Sequence, residues 1–269
     1  MGSASLFAAF VRRDWAIARS YRVNFGFELV EVIVSLVLFF YLARIVDDSQ
    51  FGEASQLEEG YFGFVVVGLA LMKFMQTGLT AFALQFRSDQ ATGTLEALLV
   101  TPASQSLVVL GSATYDLLLA AVSGIVMLAI AVAFFGMSLT VSLSSVLILM
   151  FAIPASFGLF AAVGIVIAAL TVVFKQVATI VNLTTTGIAI LAGVYFPLSV
   201  LPGLLEGIAK AFPFSWALDL LRACLLGGDP SIGKLLLLIM FCLIALPASL
   251  ALFGSAVDRA KRAGTLAQY

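Results

Sequence analysis

The feature that most constrains this chain is a series of apolar runs, each about as long as a helix that crosses a bilayer. They cover about Phe25 to Ile45, Tyr61 to Phe86, Leu107 to Phe135, Leu143 to Phe174, Val177 to Tyr195 and Gly233 to Val257. A helix rises about 1.5 Å per residue, so ~20 apolar residues traverse a hydrocarbon core about 30 Å thick. Within lipid a backbone must satisfy its own polar groups, which leaves helices or closed barrels. Continuous runs of this length fit helices. The chain is therefore expected to be all-α and polytopic, a single unit over residues 1–269 with six transmembrane helices and no soluble domain. Composition agrees: 62% of the 269 residues are apolar, 11% are charged, and the mean hydropathy is +1.14. Soluble domains carry roughly 25% charged residues, and this chain lacks the polar surface they need.

Several chemistries are excluded at once. A net charge of −1 argues against a nucleic-acid partner. The chain has no His, which removes the commonest general base and the commonest metal ligand. Cys224 and Cys242 lack metal-type spacing and read as inert apolar thiols. No catalytic and no metal-binding residues are expected. Gly228 to Lys234 reproduces G-x-x-x-x-G-K, but Leu235 follows where a phosphate-binding loop places the Ser or Thr that holds magnesium. No buried strand precedes it, so ATP hydrolysis is not expected on this chain.

Residues 4–22 interleave Leu6, Phe10, Val11 and Trp15 with Arg12, Arg13, Arg19 and Arg22, the pattern of a helix lying in the headgroup plane. Asp47, Asp48, Glu53, Glu58 and Glu59 make an acidic loop after the first run. With the N-terminus inside, the inner segments hold nine Lys and Arg and the outer segments four. That bias predicts both termini in the cytoplasm. Pro154 and Pro247 fall inside runs, where kinks are expected.

Four charges fall inside the apolar runs: Glu28, Glu31, Lys73 and Asp116. A charge in lipid costs a few kcal/mol, so each should face protein or water. Lys73 is expected to pair with Glu31 or Glu28 and join the first two spans, unless Glu28 and Asp116 are interfacial and Lys73 snorkels. Gly158, Ala161, Ala162, Gly164, Ala168 and Ala169 give the fourth run small faces for close packing. Thr179, Asn182, Thr184, Thr185 and Thr186 make the fifth run hydroxyl-rich; they either hydrogen-bond across a helix contact or line a pathway.

Residues 87–106 form the polar connection between the second and third runs. Gly93 suits a helix end, Thr94 an N-cap, and Pro102 a stop. Leu95, Leu98 and Leu99 share a stripe between them, with Glu96 in the first turn. A short helix parallel to the membrane results, either an ordinary interfacial helix or one that a partner grips.

The stretch Gly93-Thr94-Leu95-Glu96-Ala97-Leu98-Leu99-Val100-Thr101-Pro102 resembles the signature of the type-2 ABC transporter permeases, an export family that includes drug, lipid and polysaccharide exporters. Gly93, Thr94, Leu95, Glu96, Leu98, Leu99, Thr101 and Pro102 match it; Ser88-Asp89 stands where that family often has an E-R or E-K pair. Gly193 to Pro202 resembles the family's G-x-x-F-P-x-x-x-L-P through Gly193, Phe196, Pro197, Leu201 and Pro202. Pro213, Asp219, Arg222 and Gly227 continue it before the last span.

The resemblance implies an ATP-driven exporter subunit in the bacterial or archaeal inner membrane. Two copies of this chain, or this chain with a related permease, would form the pathway among the membrane lipids. First and fifth spans would meet at that contact. Two copies of a separate ATP-binding subunit, carrying ATP and magnesium, would dock on the 87–106 loop. Segment 197–230 would be an extracellular re-entrant hairpin that caps the pathway, with Asp219 and Arg222 paired inside it or at its rim. The abundance of Phe, 23 residues in all, suits a lipid-like or amphipathic cargo, and the resemblance adds a glycan. The competing expectation is a carrier or channel driven by an ion gradient through Glu28, Glu31, Lys73 and Asp116, without an ATPase.

Overall fold

A computed structural model of the chain describes residues 22–46, 51, 60–91, 105–173 and 177–262. Their elements are α1 (Arg22–Ala43), α2 (Tyr61–Ala91), α3 (Gln105–Phe135), α4 (Leu143–Val173), α5 (Val177–Leu191), a 3₁₀ turn (Leu198–Val200), α6 (Gly203–Lys210), α7 (Pro213–Leu225) and α8 (Ile232–Arg262). Among the described residues no strand forms. The N-terminal helix expected over 4–22 lies outside them apart from Arg22, as do the acidic positions from Asp47 to Glu59.

Among the described residues, five helices are long and apolar enough to cross a membrane: α1, α2, α3, α4 and α8. Of these, α2, α3, α4 and α8 each run 31 residues, or about 46 Å, which exceeds the ~30 Å core. The sequence placed the end of the second run at Phe86, yet α2 continues to Ala91. Pro154 and Pro247 lie inside α4 and α8.

The fifth run is shorter than expected. It was read through Tyr195, whereas α5 has 15 residues and stops at Leu191. The stop is built by Gly193, whose φ of 70° puts it in the left-handed region. Val194 N–H donates to Ala189 O at 3.0 Å and Gly193 N–H to Ile190 O at 3.1 Å. This pair of bonds is a Schellman cap, in which a glycine turns the chain and satisfies the last carbonyls. At ~22 Å, α5 falls short of the ~30 Å core.

Starts are equally local. Ser142 Oγ accepts from Ser145 N–H at 3.1 Å at the head of α4, and Ser231 Oγ accepts from Lys234 N–H at 3.4 Å at the head of α8. Both are N-caps satisfying a free amide of the first turn. Pro213 opens α7, where a missing N–H costs nothing. Between α6 and α7, buried Ser215 donates to Ala209 O at 2.6 Å and Trp216 Nε1 to Lys210 O at 2.7 Å. These bonds lock the two short helices into a hairpin.

Helix α2 is the hub. It packs on α3 and α4 and also meets α1, α5 and α7. In its span 61% of residues are buried, against 11% in α1 and 17% in α8. The small-residue face of α4 finds its partner in α8, the most extensive helix pairing. Ala161, Ala162, Ala168 and Ala169 are buried there or against neighbours, and Gly158 lies against Cys242. Much of the apolar surface of α1 and α8 points outward, as lipid or a partner requires: Val34, Leu38, Leu243 and Ile244 are all exposed.

Candidate functional site

The polar centre of the fold is Arg222. Helix α7 packs against α4, α8 and α2, and that packing carries the side chain inward until 3% of the residue is exposed. A buried guanidinium must find acceptors for its donors. Here Nε donates to Phe64 O at 3.1 Å, Nη1 to Gly193 O at 2.9 Å and Nη2 to Val194 O at 2.9 Å. The plane also stacks 3.3 Å from the centroid of the Phe64 ring. One side chain thus joins the first turn of α2, the cap of α5 and the body of α7. Two of the carbonyls it binds, Gly193 O and Val194 O, lie at the negative end of α5, where a cation is favoured.

Room for this arrangement comes from Gly68. A Cβ there would lie 2.6 Å from Val194 O and 2.9 Å from Arg222 Nη2. A single glycine in the run Val65-Val66-Val67-Gly68-Leu69 is the sequence signal for such an approach, but nothing in the sequence names what approaches.

The expected pairing of Asp219 with Arg222 is corrected. Asp219 Oδ2 accepts from Lys234 Nζ at 2.7 Å, while Arg222 turns to backbone carbonyls. Asp219 is half-buried toward α8, whose Lys234 is near solvent, whereas Arg222 points into the bundle. The lysine of the G-x-x-x-x-G-K string is therefore occupied by an ion pair. Elsewhere in the 197–230 segment, Pro197 and Pro213 are buried, Phe196 and Leu201 are half-buried, and exposed Pro202 immediately precedes α6.

A second polar group lies lower in the bundle. Lys73 Nζ is 2.7 Å from Glu31 Oε2, joining α2 to α1. Glu28 does not share that lysine; its Oε1 accepts from Ser123 Oγ of α3 at 2.7 Å. Asp116 is half-buried on α3. Near the far end of α1, Phe39 stacks on Tyr195 at 6.0 Å between centroids, and Tyr195 O–H donates to Met72 S at 3.2 Å. The sequence reading did not single out Ser123, Lys234 or Tyr195 as partners: Ser123 and Tyr195 meet residues far away in the chain, and Lys234 meets Asp219 across two consecutive helices.

Gly93, Thr94, Leu95, Glu96, Leu98, Leu99, Thr101 and Pro102 all lie outside the described residues. On either side of them, α2 is described as far as Ala91 and α3 from Gln105. No group of three or more His, Cys, Asp or Glu that could hold a metal occurs among the described residues.

A bundle of long apolar helices tied by buried polar clamps defines a multi-pass membrane protein. The sequence pattern described as "ABC-2 type transporter" matches residues 5–226 of the 269. The chain belongs to that family and is a transmembrane permease subunit of the ABC-2 type. Among curated proteins, none matches the chain.

Proposed function

We propose that this chain forms the membrane pathway of an ATP-driven exporter and couples to a separate ATP-binding subunit. The observation that carries the proposal is the reach of the family match, which runs from residue 5 through the 87–106 connection and the Arg222 hairpin. In this reading Gly93 to Pro102 form the coupling helix between α2 and α3. A push on it is delivered at the base of α2, whose span is the most buried of the five long helices. The ATP and magnesium reside on the partner, two copies of which serve a dimer of this chain.

Helix α5 is the sixth crossing, with Ala192 to Pro202 and the α6–α7 hairpin completing its depth on the outer side. There the hairpin caps the pathway, held by Arg222. Both termini are cytoplasmic in an inner membrane, and the cargo is lipid-like, amphipathic or a glycan. The Lys73–Glu31 contact speaks against a gradient-driven carrier, because it neutralises the charge nearest the middle of α2.

The coupling helix is tested by photocrosslinking. A photoreactive residue at Leu98, in native membranes, should form an adduct with a separate phosphate-binding-loop ATPase. Adducts with lipid alone would overturn the docking role.

A further inference from the structure

The Glu31–Lys73 pair has an unusual setting for an intramembrane contact. Glu31 stands twelve residues before the end of α1 at Ala43, and Lys73 twelve residues after the start of α2 at Tyr61. Each is therefore ~18 Å from the α1–α2 end of the bundle, well inside the core. Even so, the Glu31 side chain is 63% exposed and that of Lys73 is 22% exposed. A charge facing lipid at that depth costs a few kcal/mol. The face that carries Glu31 therefore does not meet hydrocarbon.

Among the described residues, hydrogen-bonding capacity is left over as well. The ammonium has three donors and the carboxylate about four acceptor sites. Among the described residues, one bond joins the two groups and no further partner takes up the rest. A closed structural ion pair would have its remaining sites filled.

The surroundings suit an amphiphile. Phe27, Glu31, Val34, Leu38 and Tyr41 recur at spacings of four and three residues along α1, and the four apolar ones are 70%, 61%, 56% and 60% exposed. They form one outward stripe with the charge pair beside it. Exposed Gln76 lies one turn from Lys73, and α5, which also meets α2, exposes Asn182 and Thr186. Beyond them, the Phe39–Tyr195 stack bridges α1 and the end of α5.

We infer that Glu31 and Lys73 form a binding site for the zwitterionic headgroup of a membrane amphiphile, with its phosphate or carboxylate on Lys73 and its ammonium on Glu31. The tail lies along Val34, Leu38 and Tyr41. Charge complementarity selects this occupant: a purely anionic headgroup would face Glu31, and a purely cationic one Lys73. The inference rests on the proposal that this chain forms an exporter's membrane pathway, and it names the cargo class that the pathway would admit.

The test is native mass spectrometry of the full chain, purified in a nonionic detergent and offered phosphatidylethanolamine, phosphatidylglycerol or diacylglycerol with identical acyl chains. The wild type should retain phosphatidylethanolamine about tenfold more than either of the others. The Glu31→Gln/Lys73→Gln double variant should lose that preference. The exchanged variant, Glu31→Lys/Lys73→Glu, keeps both charges and should keep it. Equal retention of all three lipids by the wild type overturns the site. So does a preference for phosphatidylglycerol that depends on Lys73 alone, which would make the ligand anionic. Retention unchanged in the double variant places any headgroup site elsewhere. The lipid readout needs no ATPase, so its failure is separable from failure of the exporter reading, which the presence of the ATPase in the same preparation reports.

Discussion

At the scale of single residues, one arginine does what several surface ion pairs would not. Arg222 satisfies three carbonyls from two other segments, and its guanidinium fork suits that task better than an ammonium. Arg222→Lys keeps the charge but loses the fork, and should cost about 2 kcal/mol through carbonyls left unpaired. Thermal unfolding in detergent, followed by Trp216 fluorescence, measures it. Gly68→Val should be at least as damaging, because the new side chain would meet Val194 O and Arg222 within the closest packing of the bundle. Lys73→Met leaves Glu31 without its cation and should lower the unfolding midpoint. Adding Glu31→Gln should recover most of the loss, since a removed pair costs less than a broken one. Equal loss in the single and double variants would mean that the contact is incidental.

The residue scale also explains what the sequence concealed. That Lys73 needs an acidic partner follows from its position in an apolar run, and two candidates stood at the right depth. Which of them it takes depends on the rotation of α1, which puts Glu31 on Lys73 and Glu28 on Ser123. For Arg222, a carboxylate three residues back was the obvious local partner. Burial of α7 overrode it, because the inward direction offered carbonyls and the outward direction offered Lys234 to Asp219.

At the scale of elements, long runs were readable and their ends were not always so. Leu143 and Phe135 bound helices where the sequence puts them, since Ser142 and Gly136 are strong local punctuation. In the fifth run the apolar residues continue past Leu191, and only the left-handed turn at Gly193 shows that the helix has ended. Gly193→Ala should therefore cost about 1 kcal/mol from the strained φ alone. The clash of its Cβ with Leu198, 2.7 Å away, adds to that. Thermal unfolding of the variant beside wild type measures the sum. Proline and glycine between 197 and 230 announced a broken segment; its resolution into two helices locked by Ser215 and Trp216 depends on side chain to backbone bonds that no periodicity encodes.

At the scale of the whole molecule, the composition declares a membrane bundle, but the hub role of α2 does not follow from it. The span of α2 is the least apolar of the five, yet packing makes it the one that is mostly buried. That position suits the exporter reading, in which α2, leading from the 87–106 connection at one end to the Arg222 clamp at the other, would transmit movement along a rigid helix. Legible motifs at both ends, G-T-L-E and F-P-x-x-x-L-P, gain a physical connection from it.

The central claim is that this permease works with a separate ATPase gripped by the 87–106 connection. It is tested most directly by purifying the chain from native membranes in mild detergent and identifying its companions by mass spectrometry, with Leu99→Arg alongside. The account predicts a phosphate-binding-loop ATPase in about equal amount with wild type and its loss from Leu99→Arg. A chain that arrives alone, or an ATPase that stays bound to the variant, would contradict it.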